Sequence, residues 1–379
     1  MYEFWDEFWW GKITGPQLII SEVSDALLNN KMVILKVSSD LSYRDSMRSA
    51  IHMSFQERND LRDVIIESVD FTDENPEKLS PGRFILERFA TPQVCKGYRE
   101  RSRHTIQEYI TANKEILENR IVWVKGVSKA DTKQWIDFCK GFSRRTACEG
   151  LFVLEIHNSV PIPENSSLRY IDIAASVSRS DVLLFNTFLL EMEYRKSYSG
   201  IWRKYIAACA ATLCDKDAEI SQLLIETTDF KQDDPIDRIR QIADEAVYSY
   251  RGKEVGSKHV FHYCRDNKLE ELEHRVWVSQ IQVLFPIIEL ERVQFVQEFK
   301  HEIQDILDNN EVQQFSHRLT DALEAEWGTI FYLIHSRGKD ALNIPEVKIR
   351  KRVDLLHKCR NKLAHASCCT PAEICELID

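Results

Sequence analysis

The sequence predicts an α/β domain built on a parallel sheet, followed by an all-α region that ends in a helical bundle. Between residues 32 and 173, short apolar runs alternate with stretches of helical periodicity, as in parallel strands joined by crossover helices. From about Asp181 onward, consecutive helical segments replace these runs. With 379 residues, 44% of them hydrophobic and only 12 glycines, the chain can form two or three domains with separate cores.

Five short apolar segments are the candidate strands of the sheet. Because they lack an alternating polar face, they are typical of strands that are buried on both sides. They are residues 32–37, 64–69, 121–124, 151–156 and 168–173. The helices predicted between them are residues 44–55, 98–117 and 131–142.

The first ten residues form a dense aromatic segment. They contain Tyr2, Phe4, Trp5, Phe8, Trp9 and Trp10. Such rings have to be buried, either on their own domain or on a partner. The segment is acidic and lacks the basic start of a signal peptide, and no apolar run approaches the roughly 18 to 20 residues that span a bilayer. We expect a cytoplasmic protein that does not bind membranes.

The helical half divides into a connector and a terminal domain. Pro235 follows two aspartates and starts an amphipathic helix over residues 236–250, and a polar Gly-containing stretch follows. We therefore predict an α/β domain over residues 1–180, a helical lid or connector over 181–251 and a helical domain over 258–379. The helices predicted in the last domain are residues 269–285, 287–309, 312–334, 347–367 and 371–377.

The predicted helix over residues 347–367 carries the most informative motif. It is the run Arg360-Asn361-Lys362-Leu363-Ala364-His365. An arginine and a histidine held this close can bind a phosphodiester and move a proton. On an ideal helix, His357, Asn361 and His365 share one stripe, and Arg360 lies beside it. Arg352 and His357 have similar spacing, but no asparagine follows Arg352.

This run resembles the R-N-x3-H form of the motif of the HEPN superfamily, small helical domains that often act as ribonucleases in antiviral and toxin systems. The resemblance covers only residues 258–379. It implies a homodimer whose two motifs line one groove, where Arg360 binds the scissile phosphate. His365 would then transfer protons and Asn361 would hold the geometry, without a metal or other cofactor.

Two features of the motif leave alternatives open. Arg360 and His365 lie about 140° apart around an ideal helix, so a bend or a second subunit is needed to bring them together. A glutamate such as Glu324 or Glu326, in the segment 322–332, could face this helix and orient Arg360, or could be an exposed surface charge.

A basic cluster surrounds the motif and could bind single-stranded RNA. Besides Arg360, its members are Lys348, Arg350, Lys351, Arg352, Lys358 and Lys362. The net charge of −10 opposes general coating of nucleic acid, so any such contact would be local. The alternatives are a solvated basic face and a binding surface for an acidic partner.

The N-terminal half resembles the core of P-loop NTPases of the AAA+ or STAND type, in a degenerate form. A phosphate-binding loop needs glycines, a lysine and a Ser or Thr, whose backbone and side chains bind the phosphates. Residues 38–45 contain neither glycine nor lysine and carry two aspartates. Lys125-Gly126 stands where an acid should bind magnesium. We expect no ATP hydrolysis, and a platform, a sensor or an oligomer contact instead.

The ten cysteines form no C-x2-C pairs. The group His259, His262 and Cys264, or the cysteines that follow His365, could supply metal ligands. Reduced, buried thiols are the alternative, and we expect no metal.

Together, the two resemblances imply a prokaryotic defence or stress effector, which we expect to be cytoplasmic. Its HEPN-like domain would cleave RNA by metal-independent transesterification. The alternative is a non-catalytic interaction or scaffold subunit of a multi-gene defence system. A DNA-binding regulator is less well supported, because no helix-turn-helix with a basic recognition helix stands out.

Overall fold

The computed structural model describes residues 2–38, 40–57, 64–71, 80–99, 104–143, 150–157, 159–160, 168–245, 255, 258–338 and 341–379. The chain divides into two compact units, Met1–Asp181 with Lys253–Gly256, and Val182–Gly252 with Ser257–Asp379. Within the described ranges, no helix is long and apolar enough to cross a membrane.

The first unit contains a five-stranded parallel sheet. Its strands are β1 (Met32–Val37), β2 (Ile65–Asp70), β3 (Arg120–Lys125), β4 (Gly150–His157) and β5 (Leu168–Asp172). All five predicted strands are confirmed, and each predicted boundary lies within one residue of the observed one. The order in the sheet is β2-β3-β4-β1-β5, and every pairing is parallel. The coarse prediction of an α/β unit with a parallel sheet is therefore confirmed.

Helices accompany this sheet. They are α1 (Tyr2–Lys12), α2 (Thr14–Leu28), α3 (Met47–Glu57), α4 (Pro81–Phe89), α5 (Pro92–Gly97), α6 (Ile106–Ala112), α7 (Thr132–Ser143) and α8 (Ile173–Ser176). The helix predicted over residues 98–117 is shorter than expected. It begins at Ile106 because Thr105 and Glu108 form a capping box, in which the Glu108 amide donates to Thr105 Oγ1 at 3.2 Å.

The aromatic segment packs on its own unit. Trp5, Trp9 and Trp10 of α1 are buried, and Trp10 Nε1 donates a hydrogen bond to the carbonyl of Tyr43 at 2.8 Å. Phe4 remains 46% exposed. Most of the apolar surface of α1 is thus used to hold the helix against the α/β core.

The second unit is largely helical, as predicted. Its helices are α9 (Arg179–Glu193), which starts at the boundary, α10 (Gly200–Cys214), α11 (Ala218–Thr227), α12 (Pro235–Asp244), α13 (Val260–Arg265), α14 (Leu269–Glu298), α15 (Lys300–Asn309), α16 (Trp327–His335), α17 (Val347–Ala364) and α18 (Pro371–Ile378). Part of the predicted helix over residues 236–250 lies outside the described residues. α10 packs against α14, so residues 182–245 and 258–379 belong to one compact unit.

Pro286 does not divide a helix, and the predicted break at this residue is wrong. α14 continues through it for 30 residues in all. Proline lacks an N–H, so the carbonyl of Gln282 loses its intrahelical donor. On either side of it, Leu284 and Ile288 are fully buried, and this packing holds the two halves of the helix in line.

The helix predicted over residues 312–334 is wrong in its first half. The chain forms a short hairpin there, with strands β6 (Gln313–Gln314) and β7 (His317–Arg318). The turn residues Phe315 and Ser316 have φ values of 49° and 68°, in the left-handed region. Only from Trp327 does the chain become α-helical, as α16.

A buried amide side chain fixes the segment between α17 and α18. Gln280 of α14 is 1% exposed. Its Nε2 donates to the carbonyl of Cys369 at 3.0 Å, and its Oε1 accepts from the amide of Cys369 at 2.7 Å. The side chain thereby satisfies both backbone groups of a buried residue that lies in neither helix.

We expect Gln280→Leu to lower the free energy of unfolding by about 2 to 4 kcal/mol, because both polar groups of Cys369 would lose their partner. Chemical denaturation followed by circular dichroism measures this change. Gln282→Leu, an exposed position on the same helix, is the control and should have little effect. Equal stability of the two variants would contradict this role.

Candidate active site

The orientation of α17 is set by its buried stripe. Val353, Leu356, Cys359 and Leu363 are each at most 2% exposed. They recur at helical spacings of three and four, so they occupy one face. His357, Arg360 and Asn361 are also related by three and four residues and lie together on a flank of that face. Packing of the stripe therefore decides where these polar groups point.

A cavity of about 350 Å³ lies on this flank of α17. Its lining comes from α17, from α16 with the residue before it, and from the hairpin. The lining residues are Gln313, Gln314, Phe315, Glu326, Gly328, Thr329, Tyr332, His357, Arg360 and Asn361. Two of the three predicted catalytic residues, Arg360 and Asn361, line this cavity, whereas His365 does not.

Arg360 is weakly bonded for a half-buried guanidinium. Its Nη2 lies 3.6 Å from Glu326 Oε2, and its Nη1 lies 3.5 Å from Asn361 Oδ1. Its Nε is buried and has no hydrogen-bond partner in the described part of the chain. A guanidinium offers five N–H donors, so this one has spare capacity for an anion. Of the two candidate glutamates, Glu326 is the one that faces it.

His357 is the histidine inside the cavity. Its Nε2 accepts a hydrogen bond from Asn361 Nδ2 at 2.8 Å, and its ring stacks on Phe331 with centroids 4.4 Å apart. Burial and the charge of Arg360 lower the pKa of His357 below the usual 6.5, and Asp354 opposes this shift. The ring is consequently neutral at pH 7.

His365 lies beyond the end of α17. It is the C-cap residue, with φ −104° and ψ 25°, and it is exposed. Trp277 Nε1 bonds the carbonyl of Leu363 at 2.7 Å, and Ala366 has a φ of 57°. The helix thus stops before His365, and the stripe shared with His357 and Asn361 on an ideal helix ends there.

Half of the predicted RNA-binding cations are engaged within the protein. Arg352 bonds Glu291 Oε2 at 2.9 Å and the carbonyls of Glu376 and Leu377 at 2.6 and 2.8 Å. Lys358 and Lys362 both pair with the buried Glu373, at 2.9 and 2.8 Å. These contacts attach α18 to α17.

The remaining three cations, Lys348, Arg350 and Lys351, are exposed in the N-terminal part of α17. None of them forms a salt bridge with any residue that the structure describes. They are thus the members of the basic cluster that are available to an outside anion.

Glu373 is the acid that neutralises part of the basic cluster. Burial raises its pKa, but bonds from Lys362, Lys358 and the Thr370 amide outweigh this effect and lower the pKa to about 2. The same carboxylate closes the capping box of α18. The negative charge of Glu373 is therefore part of the contact between α17 and α18.

A second, smaller cavity of about 110 Å³ lies by the sheet, and its lining includes Arg44, Trp123, Lys125 and Glu155. Lys125 lies at the carboxyl end of β3 and Glu155 near that of β4, the edge at which open α/β sheets bind ligands. Glu155 is 5% exposed, pairs with Arg44 and accepts a bond from Trp123 Nε1 at 2.6 Å. Lys125 pairs with Asp70 at 3.0 Å. Of the three cations in the lining, Arg44, Arg48 and Lys125, the first and the last are thus bound by carboxylates of the protein.

The candidate metal ligands of the helical unit have other partners. His259 Nε2 lies 3.0 Å from Asp217 Oδ2, and Cys264 Sγ contacts the carbonyl of Ile239 at 3.9 Å. Among the described residues, no group of three or more His, Cys, Asp or Glu side chains could hold a metal ion.

Comparisons with family models, curated proteins and solved structures give no match for this chain.

Protonation of His357 should make the fold less stable. The pKa of His357 in the folded protein lies below its value in the unfolded chain. The contribution of the neutral ring to the free energy of unfolding is therefore complete above about pH 6.5 and is lost as pH falls through the folded pKa. We expect the melting temperature of wild type to fall more steeply between pH 7.5 and 5 than that of His357→Gln. His301→Gln, on the exposed face of α15, is the control. Parallel curves for wild type and His357→Gln would contradict the proposed environment.

Proposed function

We propose that this protein is a defence or stress effector whose helical unit, resembling a HEPN domain, cleaves RNA by metal-independent transesterification. The weakly bonded Arg360 carries the proposal. It is a half-buried cation with an unpartnered Nε, in a cavity that also contains a neutral imidazole and an amide. Such a group is suited to a phosphodiester, which offers two charged oxygens to a planar guanidinium.

The reaction is an attack by the ribose 2′-oxygen on the adjacent phosphorus. The 2′-hydroxyl proton passes to an imidazole nitrogen while the O2′–P bond forms. As the P–O5′ bond breaks, the imidazolium returns a proton to the 5′-oxygen, so nothing is consumed. The products are a 2′,3′-cyclic phosphate and a 5′-hydroxyl. Arg360 binds the non-bridging oxygens and stabilises the extra negative charge of the transition state.

The motif assigns the proton transfer to His365. Because this residue lies outside the cavity of its own chain, we propose that a second copy supplies it, in a homodimer. Asn361 Nδ2 donates a hydrogen bond to His357 Nε2, and Asn361 Oδ1 lies 3.5 Å from Arg360 Nη1. We therefore treat His357 and Asn361 as positioning residues for the guanidinium.

The α/β unit is proposed to be a degenerate P-loop NTPase-like platform. The support is its parallel sheet, with β1 between β4 and β5, together with the pairing of Arg44 and Lys125 with carboxylates at the carboxyl edge. Cations that are already bound in this way offer little to a nucleotide.

A non-catalytic scaffold is the second candidate function. One observation favours it specifically. Leu184, Phe188 and Met192, spaced four residues apart on α9, are 39%, 41% and 54% exposed. An exposed apolar stripe of this kind is suited to a protein partner.

Single substitutions test the catalytic proposal. We expect Arg360→Ala and His365→Ala each to lower RNA cleavage by about 10²-fold, since one removes the phosphate ligand and the other the proton carrier. His357→Ala should lower it less, on the order of 10-fold, by loosening the position of Arg360. The assay uses single-stranded RNA in EDTA and detects 2′,3′-cyclic phosphate ends.

The histidine variants distinguish the two possible proton carriers. If His365→Ala cleaves like wild type and His357→Ala does not, the role belongs to His357. His301→Ala is the matched control on an exposed surface. Absence of cleavage by wild type under all conditions, with loss of a protein complex in Arg360→Ala, would favour the scaffold function instead.

Mixing two inactive variants tests whether a site is shared between copies. In a symmetric dimer, Arg360→Ala and His365→Ala chains together form one intact composite site in each mixed dimer. Half of the dimers are mixed, so an equal mixture should regain about a quarter of wild-type cleavage. No recovery, although sedimentation shows mixed dimers, would place both residues of a site in one chain.

A further inference from the structure

An aromatic side chain stands in solvent at the edge of the Arg360 cavity. Phe315 lies at the tip of the β6–β7 hairpin and is 74% exposed. Its φ of 49° is unfavourable for a bulky residue, and Ser316 beside it has a φ of 68°. Phe315 thus combines a strained backbone with an exposed apolar ring. Strain of this kind is concentrated at functional sites.

The hairpin is held firmly beside the cavity by one side chain. Gln314 Oε1 accepts from Thr329 Oγ1 at 2.6 Å and from the Glu326 amide at 2.9 Å. Its Nε2 donates to the carbonyl of Glu324 at 2.9 Å. The residue before Phe315 is thus attached to the start of α16, and the ring is presented from a fixed base.

A second exposed ring lies on the same cavity. Tyr332 of α16 is 55% exposed and lines the cavity together with Phe315 and Arg360. The lining therefore combines a cation that has free donor capacity with two aromatic surfaces. A ligand that fits has to carry an anion and a flat π-system on one short molecule.

We propose that Phe315 and Tyr332 form a stacking subsite for an unpaired nucleobase of the RNA whose phosphate binds Arg360. Nucleobases stack on aromatic side chains wherever they are not paired, and this contact tolerates any base. The subsite restricts the substrate to single strands, because a base inside a duplex has no free face. The exposed Lys348, Arg350 and Lys351 on α17 add the charge that a polyanion requires.

This inference rests on the proposed function for the identity of the polymer, but not for its cleavage. The test therefore measures binding of a short, fully 2′-O-methylated oligonucleotide, which lacks the attacking hydroxyl. Fluorescence anisotropy compares the single strand, its duplex and the same strand made abasic. Wild type should bind the single strand most tightly.

Substitutions at residue 315 separate stacking from a general apolar contact. We expect Phe315→Ala and Phe315→Leu to weaken single-strand binding by about 10-fold, whereas Phe315→Trp keeps it. On the abasic strand, wild type and Phe315→Ala should bind equally. Phe315→Gly should lose affinity and melt at a higher temperature, because glycine adopts a positive φ without strain. Leu323→Ala, another exposed apolar residue, is the control.

Other results would contradict the stacking subsite, the phosphate site or the nuclease activity separately. If Phe315→Leu binds like wild type, or if the Phe315→Ala loss persists on the abasic strand, stacking is wrong. If variants at residue 315 change the sedimentation of the free protein instead, the ring contacts a second copy. If Arg360→Ala loses binding but Phe315→Ala and Tyr332→Ala do not, the phosphate site remains and the subsite fails. If wild type binds with this pattern but does not cleave RNA, the stacking subsite is supported and the proposed nuclease activity is wrong.

Discussion

The candidate site depends on the burial of one face of α17. Val353, Leu356, Cys359 and Leu363 are inside the helical unit, and rotating the helix would expose all four at roughly 1.5 to 3 kcal/mol for each large side chain. Bonds from the basic side of α17 to Glu373 and Glu291 resist the same rotation. Because the helix is fixed in this orientation, Arg360 faces α16 and the hairpin.

This arrangement leaves Arg360 in an unusual electrostatic position. Glu326 is close enough to stabilise the charge, but at 3.6 Å it does not form a strong bidentate pair. Elsewhere on the helix, Arg352 shows what a fully used guanidinium looks like, with a carboxylate and two carbonyls around it. The contrast within one helix separates an arginine that stabilises the fold from one whose donors remain available. The same contrast separates Lys358 and Lys362 from the exposed Lys348, Arg350 and Lys351.

Much of the fold could be predicted from the sequence because its strongest signals are local. Five apolar runs predicted the five strands; β1, β3 and β4 are largely buried along their length, and a strand buried on both faces needs such a run. The crossover helices fix the parallel direction. The hairpin at residues 313–318 was missed because bonds from Gln314 to α16, which no local pattern reports, replace helical bonds there. At Pro286 the sequence predicted a break that the structure does not have. Packing of the residues on both sides of the proline outweighs the one lost hydrogen bond.

The composition of the site could be predicted only in part, for a related reason. An ideal helix extends the stripe of His357 and Asn361 to His365, whereas the real helix ends at Ala364 with a left-handed residue following the cap. The spacing in the sequence pointed to the helix and the arginine that line the cavity, but it could not show where the helix stops. That single turn of backbone decides which histidine shares a cavity with Arg360. If His365 contributes, it has to do so from another chain, and the chemistry of this protein then requires assembly as well as folding.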